Sequence, residues 1–158
     1  MKPLRDEHDP AEAAGMPSHV TLLYPFLSPD EIDAAVLAEL RGCFLQFASF
    51  RYSLVTIRRF PAGVLYLALE PEEPFRRLTR AIWDRYPQTP PYGGSHCDIV
   101  PHLSVARLAA ERQLDHVADG FARAARGKLP IRATASEIVL MDTISGRWQL
   151  RATFPLRS

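Results

Sequence analysis

The sequence predicts an α+β domain built from a duplicated unit. Three observations lead there. Strand-like and helix-like periodicities follow one another in the order strand, helix, hairpin, helix, strand, helix, hairpin. The unit "strand, helix, two antiparallel strands" occurs twice, at about 18–69 and about 99–155. The opening strand of each copy carries a histidine and, two residues on, a hydroxyl: His19 with Thr21, and His102 with Ser104.

The totals fit one domain, 1–158. A chain of 158 residues buries roughly 70% of its extended surface, so neither a disulfide nor a metal is needed to hold it. Apolar residues make up 47% and charged residues 23%, ordinary for a globular chain. No apolar run approaches the ~18 residues of a membrane helix. The first residues, Met1 to His8, lack the apolar core of a signal peptide. Cys43 and Cys97 have no metal-type spacing and read as reduced thiols of a cytoplasmic protein. A net charge of +1 argues against coating nucleic acid by bulk electrostatics, though not against a phosphate-bearing substrate in a local cleft.

Residues 1–17 form a polar lead-in with three prolines and a glycine. Ser18–Tyr24 reads as a strand in which His19 and Thr21 share one face and Val20, Leu22 and Tyr24 the other. Ser28, Pro29 and Glu31 form a helix start, and the apolar spacing from Ile32 to Phe44 places a helix near Pro29–Leu45. Phe50–Phe60 and Val64–Leu69 flank the turn Pro61-Ala62-Gly63 as a hairpin. Pro71 and Pro74 open a second helix with the stripe Phe75, Leu78, Ile82, Trp83 and Tyr86, stopped by Pro87. Gln88–Asp98 is a long Pro/Gly-rich loop, a type often functional. It feeds the strand Ile99–Ala106. A third helix follows at about Ala109–Ala125, with Leu114, Val117, Phe121 and Ala125 on one side and Gly127 as its stop. The strands Ile131–Met141 and Arg147–Phe154 close the chain; in the latter Trp148, Leu150, Ala152 and Phe154 alternate on one face.

Duplication about a pseudo-twofold axis can set the two equivalent strands side by side, with His19 and His102 facing across a cleft. Imidazole has an unperturbed pKa of about 6.5, so two of them can divide labour, one taking a proton and the other giving one. That suits a phosphodiester, where the nucleophile loses a proton as the leaving alkoxide gains one. The hydroxyls of Thr21 and Ser104 can bind the non-bridging oxygens, and the charge stabilisation calls for no metal.

The segments Ser18-His19-Val20-Thr21-Leu22-Leu23-Tyr24-Pro25-Phe26 and Pro101-His102-Leu103-Ser104-Val105-Ala106 resemble the paired motifs of the two-histidine (2H) phosphoesterase superfamily. Arg59-Phe60-Pro61, Val64-Leu65-Tyr66-Leu67 and Pro90-Pro91-Tyr92-Gly93-Gly94 resemble blocks of its bacterial 2'-5' RNA ligase-like group, and the likeness spans about 8–155. The resemblance implies two pseudo-symmetric lobes, each an antiparallel sheet with helices packed outside, and an active cleft between them. It implies metal-independent opening or formation of phosphodiesters at 2',3' positions of an RNA end or a small nucleotide. His19 and His102 become the acid/base pair, and Thr21 and Ser104 the phosphate binders. A 2',3'-cyclic phosphodiesterase is the leading expectation, with 2'-5' RNA ligation or a non-catalytic nucleotide-binding module of the same fold as alternatives. No cofactor, metal or membrane partner is expected, and a monomer is favoured. Relatives begin with an apolar strand before the lead-in. Here Met1 falls where that strand should have ended, so the expectation is either a missing N-terminal piece or a lobe one strand short, with an exposed edge.

Lesser candidates stand beside these. Tyr92 can stack on a base or bind a phosphate, or anchor its loop on the core. Arg107 can reach a phosphate, as the corresponding arginine does in some relatives, although simple alternation puts it opposite His102. Phe60 can line the cleft, though it and Tyr24 fit core packing better, and Trp83 and Trp148 fit core stripes. His96, Cys97 and His102 match no standard structural zinc spacing.

Overall fold

The computed structural model describes residues 9–61, 63–95, 98–108 and 111–158. Residues 1–8 of the polar lead-in, Ala62 of the predicted turn, His96, Cys97 and the expected first residues of the third helix lie outside them. The elements are α1 (Pro10–Ala13), α2 (Ala34–Phe44), β1 (Phe50–Phe60), β2 (Val64–Glu70), α3 (Glu73–Arg85), a 3₁₀ turn (Pro91–Gly94) and β3 (His102–Arg107). They continue with α4 (Glu111–Ala125), β4 (Ile131–Ala135), β5 (Glu137–Asp142) and β6 (Gln149–Pro155). The fold is α+β, as expected: a four-stranded antiparallel sheet in the order β3-β2-β1-β4, and a two-stranded sheet, β5-β6.

The hairpin lies where its turn residues put it. Phe60 pairs with Val64, and Gly63 has φ +76°; a Cβ there would collide with the Leu108 carbonyl, so only glycine fits. Leu54, Leu65, Leu67 and Leu69 project from one face of the large sheet onto Val117, Phe121 and Ala125 of α4 and Phe75 of α3. A second core joins Leu40, Cys43 and Phe44 of α2 to Leu78 and Ile82 of α3 and Phe154 of β6. Tyr86 is buried in it and donates its hydroxyl to a Glu39 carboxylate oxygen at 2.7 Å; burial and that carboxylate push the phenol pKa up. Each sheet thus carries its own apolar face and its own helical cover.

Several elements differ from the sequence expectation. Ser18–Tyr24 is not a strand. Its carbonyls are engaged elsewhere: Leu22 accepts from the Thr79 hydroxyl at 2.8 Å, and Tyr24 accepts from the Tyr92 amide at 2.6 Å. The two histidine segments are therefore not side by side in one sheet; β3 pairs with β2, from the hairpin of the other repeat. The Ser28–Glu31 box closes only a turn, and α2 starts later, capped by Asp33, whose carboxylate accepts from the Val36 amide at 2.9 Å. Trp83 is 38% exposed, because it sits about 100° round the helix from Ile82 and off the buried stripe. Tyr24 is 53% exposed and meets Trp148 edge-on, not the core.

The predicted strand Ile131–Met141 is two strands. It breaks at Ser136, whose carbonyl accepts from the Leu156 amide, so β4 finishes the large sheet and β5 starts the small one. In β6 the register slips at Arg151. That extra residue inverts the alternation: Phe154 is buried at 1%, while Leu150, predicted on the same face, is 60% exposed.

Candidate active site

An extended or turning backbone lets an imidazole reach back to the carbonyl two residues before it. Both histidines do this. His19 Nδ1 lies 2.8 Å from the Pro17 carbonyl and His102 Nδ1 lies 2.7 Å from the Val100 carbonyl. A carbonyl only accepts, so each Nδ1 carries the proton and donates it. That leaves Nε2 as the second nitrogen of each ring, on the side away from the carbonyl. At His19 that nitrogen is 3.1 Å from Thr21 Oγ1, which keeps the two side chains of the first motif together.

His102 opens β3 and sits directly across from Ala68 of β2; Ser104 sits across from Tyr66. Between Ser104 and Ala106 the pairing slips by one residue, with Val105 as the bulge. A bulge changes which face the following residues occupy. Val105 and Ala106 both enter the first core, and Arg107 comes opposite Val64, on the strand face that also holds Tyr66 and Ala68. Arg107 therefore shares the face of His102 and Ser104, the reverse of what simple alternation predicts.

Two aromatic rings complete this corner. Phe60 and Tyr66 stack at 4.2 Å with 18° between their planes. His102 packs against both, 4.9 Å from Phe60 at 79° and 5.3 Å from Tyr66 at 63°. Tyr66 carries no functional reading in the sequence, which for Phe60 favours core packing over lining the cleft. Their approach to His102 depends on sheet register, which has no local signal.

Burial lowers the His102 pKa from its ordinary value, and the charges of His19 and Arg107 lower it further; the Val100 carbonyl pulls the other way. Tyr92 stands in the 3₁₀ turn with φ +54°, between Pro90 and two positive-φ glycines. Burial raises its phenol pKa, and the Arg107 charge opposes the rise. The loop is tied at both ends: the Tyr92 amide bonds to Tyr24, and Arg76 of α3 bonds to Asp98 at 2.7 Å and to Glu72 at 2.7 Å.

Of the six candidates, His19 and Thr21 are in contact. His102, Ser104 and Arg107 share one sheet face, and Tyr92 stands in the 3₁₀ turn that precedes β3. Among the described residues no group of three or more His, Cys, Asp or Glu side chains is arranged to hold a metal ion. No described helix is long and apolar enough to cross a membrane.

The 2'-5' RNA ligase superfamily model matches residues 1–147. Among solved structures, a crystal structure of E. coli LigT in apo form is similar, with a TM-score of 0.56 at 16% identity, covering 100% of this chain and 93% of that one. At that identity the likeness shows the fold alone. No curated protein sequence matches.

Proposed function

We propose that this chain, which belongs to the 2'-5' RNA ligase superfamily, is a metal-independent phosphodiesterase that opens a 2',3'-cyclic phosphate on an RNA end or a small nucleotide. The observation that most supports this reading is the matched orientation of the two histidines, each with Nδ1 held by the carbonyl two residues upstream, so that Nε2 is the nitrogen turned to the chemistry, at His19 beside the Thr21 hydroxyl. His102, whose pKa is lowered, is neutral at pH 7 and suits the general base. Its Nε2 takes a proton from water as the water oxygen bonds to phosphorus. The bond from phosphorus to one ribose oxygen breaks, and that oxygen takes the Nε2 proton of a His19 imidazolium. A phosphomonoester and a free hydroxyl result, and solvent returns the proton between the rings. The hydroxyls of Thr21 and Ser104 and the guanidinium of Arg107 bind the non-bridging oxygens, where charge accumulates. Tyr92 and the Phe60–Tyr66 pair offer aromatic surface beside the same phosphate. A cytoplasmic setting goes with this substrate class and with cysteines that form no framework.

The test is turnover of the four nucleoside 2',3'-cyclic phosphates and a cyclic-phosphate-ended oligonucleotide, with chelator present. A proton-transfer role supplies ~10²–10⁴-fold in rate, so His19→Ala and His102→Ala should each lose at least about 100-fold. The wild-type pH–rate profile should be bell-shaped. Activity that survives in either variant, or that disappears with chelator, refutes the mechanism.

A further inference from the structure

The sheet face that carries His102 continues into a second polar constellation that the chemistry above does not use. The register defines it. Ser53 of β1 lies between Glu70 of β2 and Arg132 of β4, and Arg51 lies opposite Thr134. The pairing of β1 with β2 slips at Val55, yet Thr56 faces Ala68 and Ser53 faces Glu70. Ala68 and Glu70 alternate with the core residues Leu67 and Leu69. Ser53, Arg51, Arg132 and Thr134 are therefore on the His102 side of the sheet, while Leu54 and Ile131 pack inward.

Two arginines thus stand diagonally on neighbouring strands, about 7–8 Å apart at the backbone, each beside a hydroxyl. With Glu70 and Pro71 they line an open cavity of about 470 Å³. Neither arginine makes an ion pair among the described residues, and both are exposed. Like charges so placed repel one another, a cost that an anionic ligand removes. Arg58, opposite Tyr66, stands on the same face between this cavity and Arg107. Among the described strand residues this face therefore carries Arg51, Arg58, Arg107 and Arg132 against the one carboxylate of Glu70, in a chain whose net charge is only +1.

We propose that Arg51 and Arg132, with Ser53 and Thr134, form a second phosphate subsite that holds the backbone of a single-stranded RNA whose end lies at His102. From His102, Arg132 lies three strand spacings across and two residues along, and Arg51 two spacings across and four residues along, roughly 16 Å in either case. A mononucleotide does not span that distance; an oligonucleotide does, with Arg58 along its path. Planar guanidiniums suit phosphate oxygens, and the ribose hydroxyls of RNA give Glu70 a donor. The inference rests on the reading of the histidine site given above and extends it to substrate length.

The experiment measures binding of a 5'-labelled RNA octamer with a 3'-phosphate to the full chain across a salt series, for wild type, Arg51→Gln, Arg132→Gln and the double variant. Thermal unfolding checks that each variant is folded. The double variant should bind about 10-fold or more weakly, each single variant less so, and its log–log salt slope should fall by ~0.7 for each backbone phosphate it no longer neutralises. In turnover assays the octamer with a cyclic phosphate end should lose about 10-fold more kcat/KM than the cyclic mononucleotide. Equal binding by wild type and a folded double variant, or equal losses on long and short substrates, overturns the proposal. If no substrate is turned over, the phosphodiesterase reading fails, while weakened octamer binding in the variants still supports the subsite.

Discussion

Thr79 offers the sharpest test of how the first histidine segment is held. It is fully buried on α3, and its hydroxyl lies 2.8 Å from the Leu22 carbonyl and 3.1 Å from the Phe75 carbonyl. The Phe75 carbonyl is the ordinary helical partner of the Thr79 amide, so the Leu22 carbonyl is the one that depends on the hydroxyl. Thr79→Val keeps the shape and removes only the donor. Leaving such an acceptor without a partner costs about 1–3 kcal/mol. For a chain of this size 1 kcal/mol corresponds to roughly 2–4 °C in Tm, so the variant should melt about 2–12 °C lower. Thr79→Ser keeps the donor and loses one methyl, about 1 kcal/mol, and should be the milder change. Because Leu22 adjoins Thr21, the valine variant should also lose kcat on a cyclic phosphate while the serine variant retains it. Melting curves and initial rates for the two variants decide the matter. A valine variant as stable as wild type, or less damaged than the serine variant, would refute the claim that this hydroxyl fixes the segment.

Two further outcomes follow from the cores and from His102. Phe121 is 1% exposed in the first core, so Phe121→Ala should cost about 3–5 kcal/mol in chemical denaturation. His102 has a folded-state pKa below its unfolded value of about 6.5, so the unfolded chain takes up the proton first as pH falls. Its contribution to stability is intact above pH ~6.5 and is lost as pH falls from there through the folded-state value. His102→Gln should therefore flatten the decline in stability below pH ~6.5, measured by denaturant midpoints at a series of pH values; an unchanged decline would count against a buried, neutral imidazole.

What the sequence concealed is mostly a matter of single inserted residues. The hairpin at Pro61–Gly63, the helices with clean apolar stripes and the stop at Gly127 all have local causes, and they were legible. The slips at Val55, Val105 and Arg151 were not. Each moves the following residues to the other face, and each depends on what the neighbouring strand offers. The Val105 slip is why Arg107 read as lying opposite His102, and the Arg151 slip is why Leu150 read as core. At Arg151 the structure shows what the slip achieves: the guanidinium donates to the carbonyls of Pro29 at 2.7 Å and Ile32 at 2.5 Å, tying β6 to the approach of α2.

The strand predicted at Ser18–Tyr24 failed for the same reason, because a ladder needs a partner and its carbonyls bond elsewhere. The His-x-Thr spacing nevertheless survived that failure. An imidazole that donates from Nδ1 to the carbonyl two residues back, with a hydroxyl two residues ahead, needs an extended chain over about five residues and no sheet at all. His19 meets that condition in an irregular segment, and His102 meets it at the first residue of a strand. The constraint that makes this motif readable is therefore local, whereas the positions of Arg107, Tyr66 and Phe60 around it are set by register between strands far apart in the chain. Deletion of the bulged Val105 restores plain alternation without changing which β2 residue Arg107 faces, so it should leave the His102–Val100 hydrogen bond in place and keep Arg107 on the histidine face, opposite Val64. Phosphate affinity should then stay within a few-fold of wild type as the His102 imidazole keeps its Nδ1–H tautomer, readable in its ring nitrogen resonances; loss of that tautomer together with the affinity would mean that the motif depends on the sheet after all.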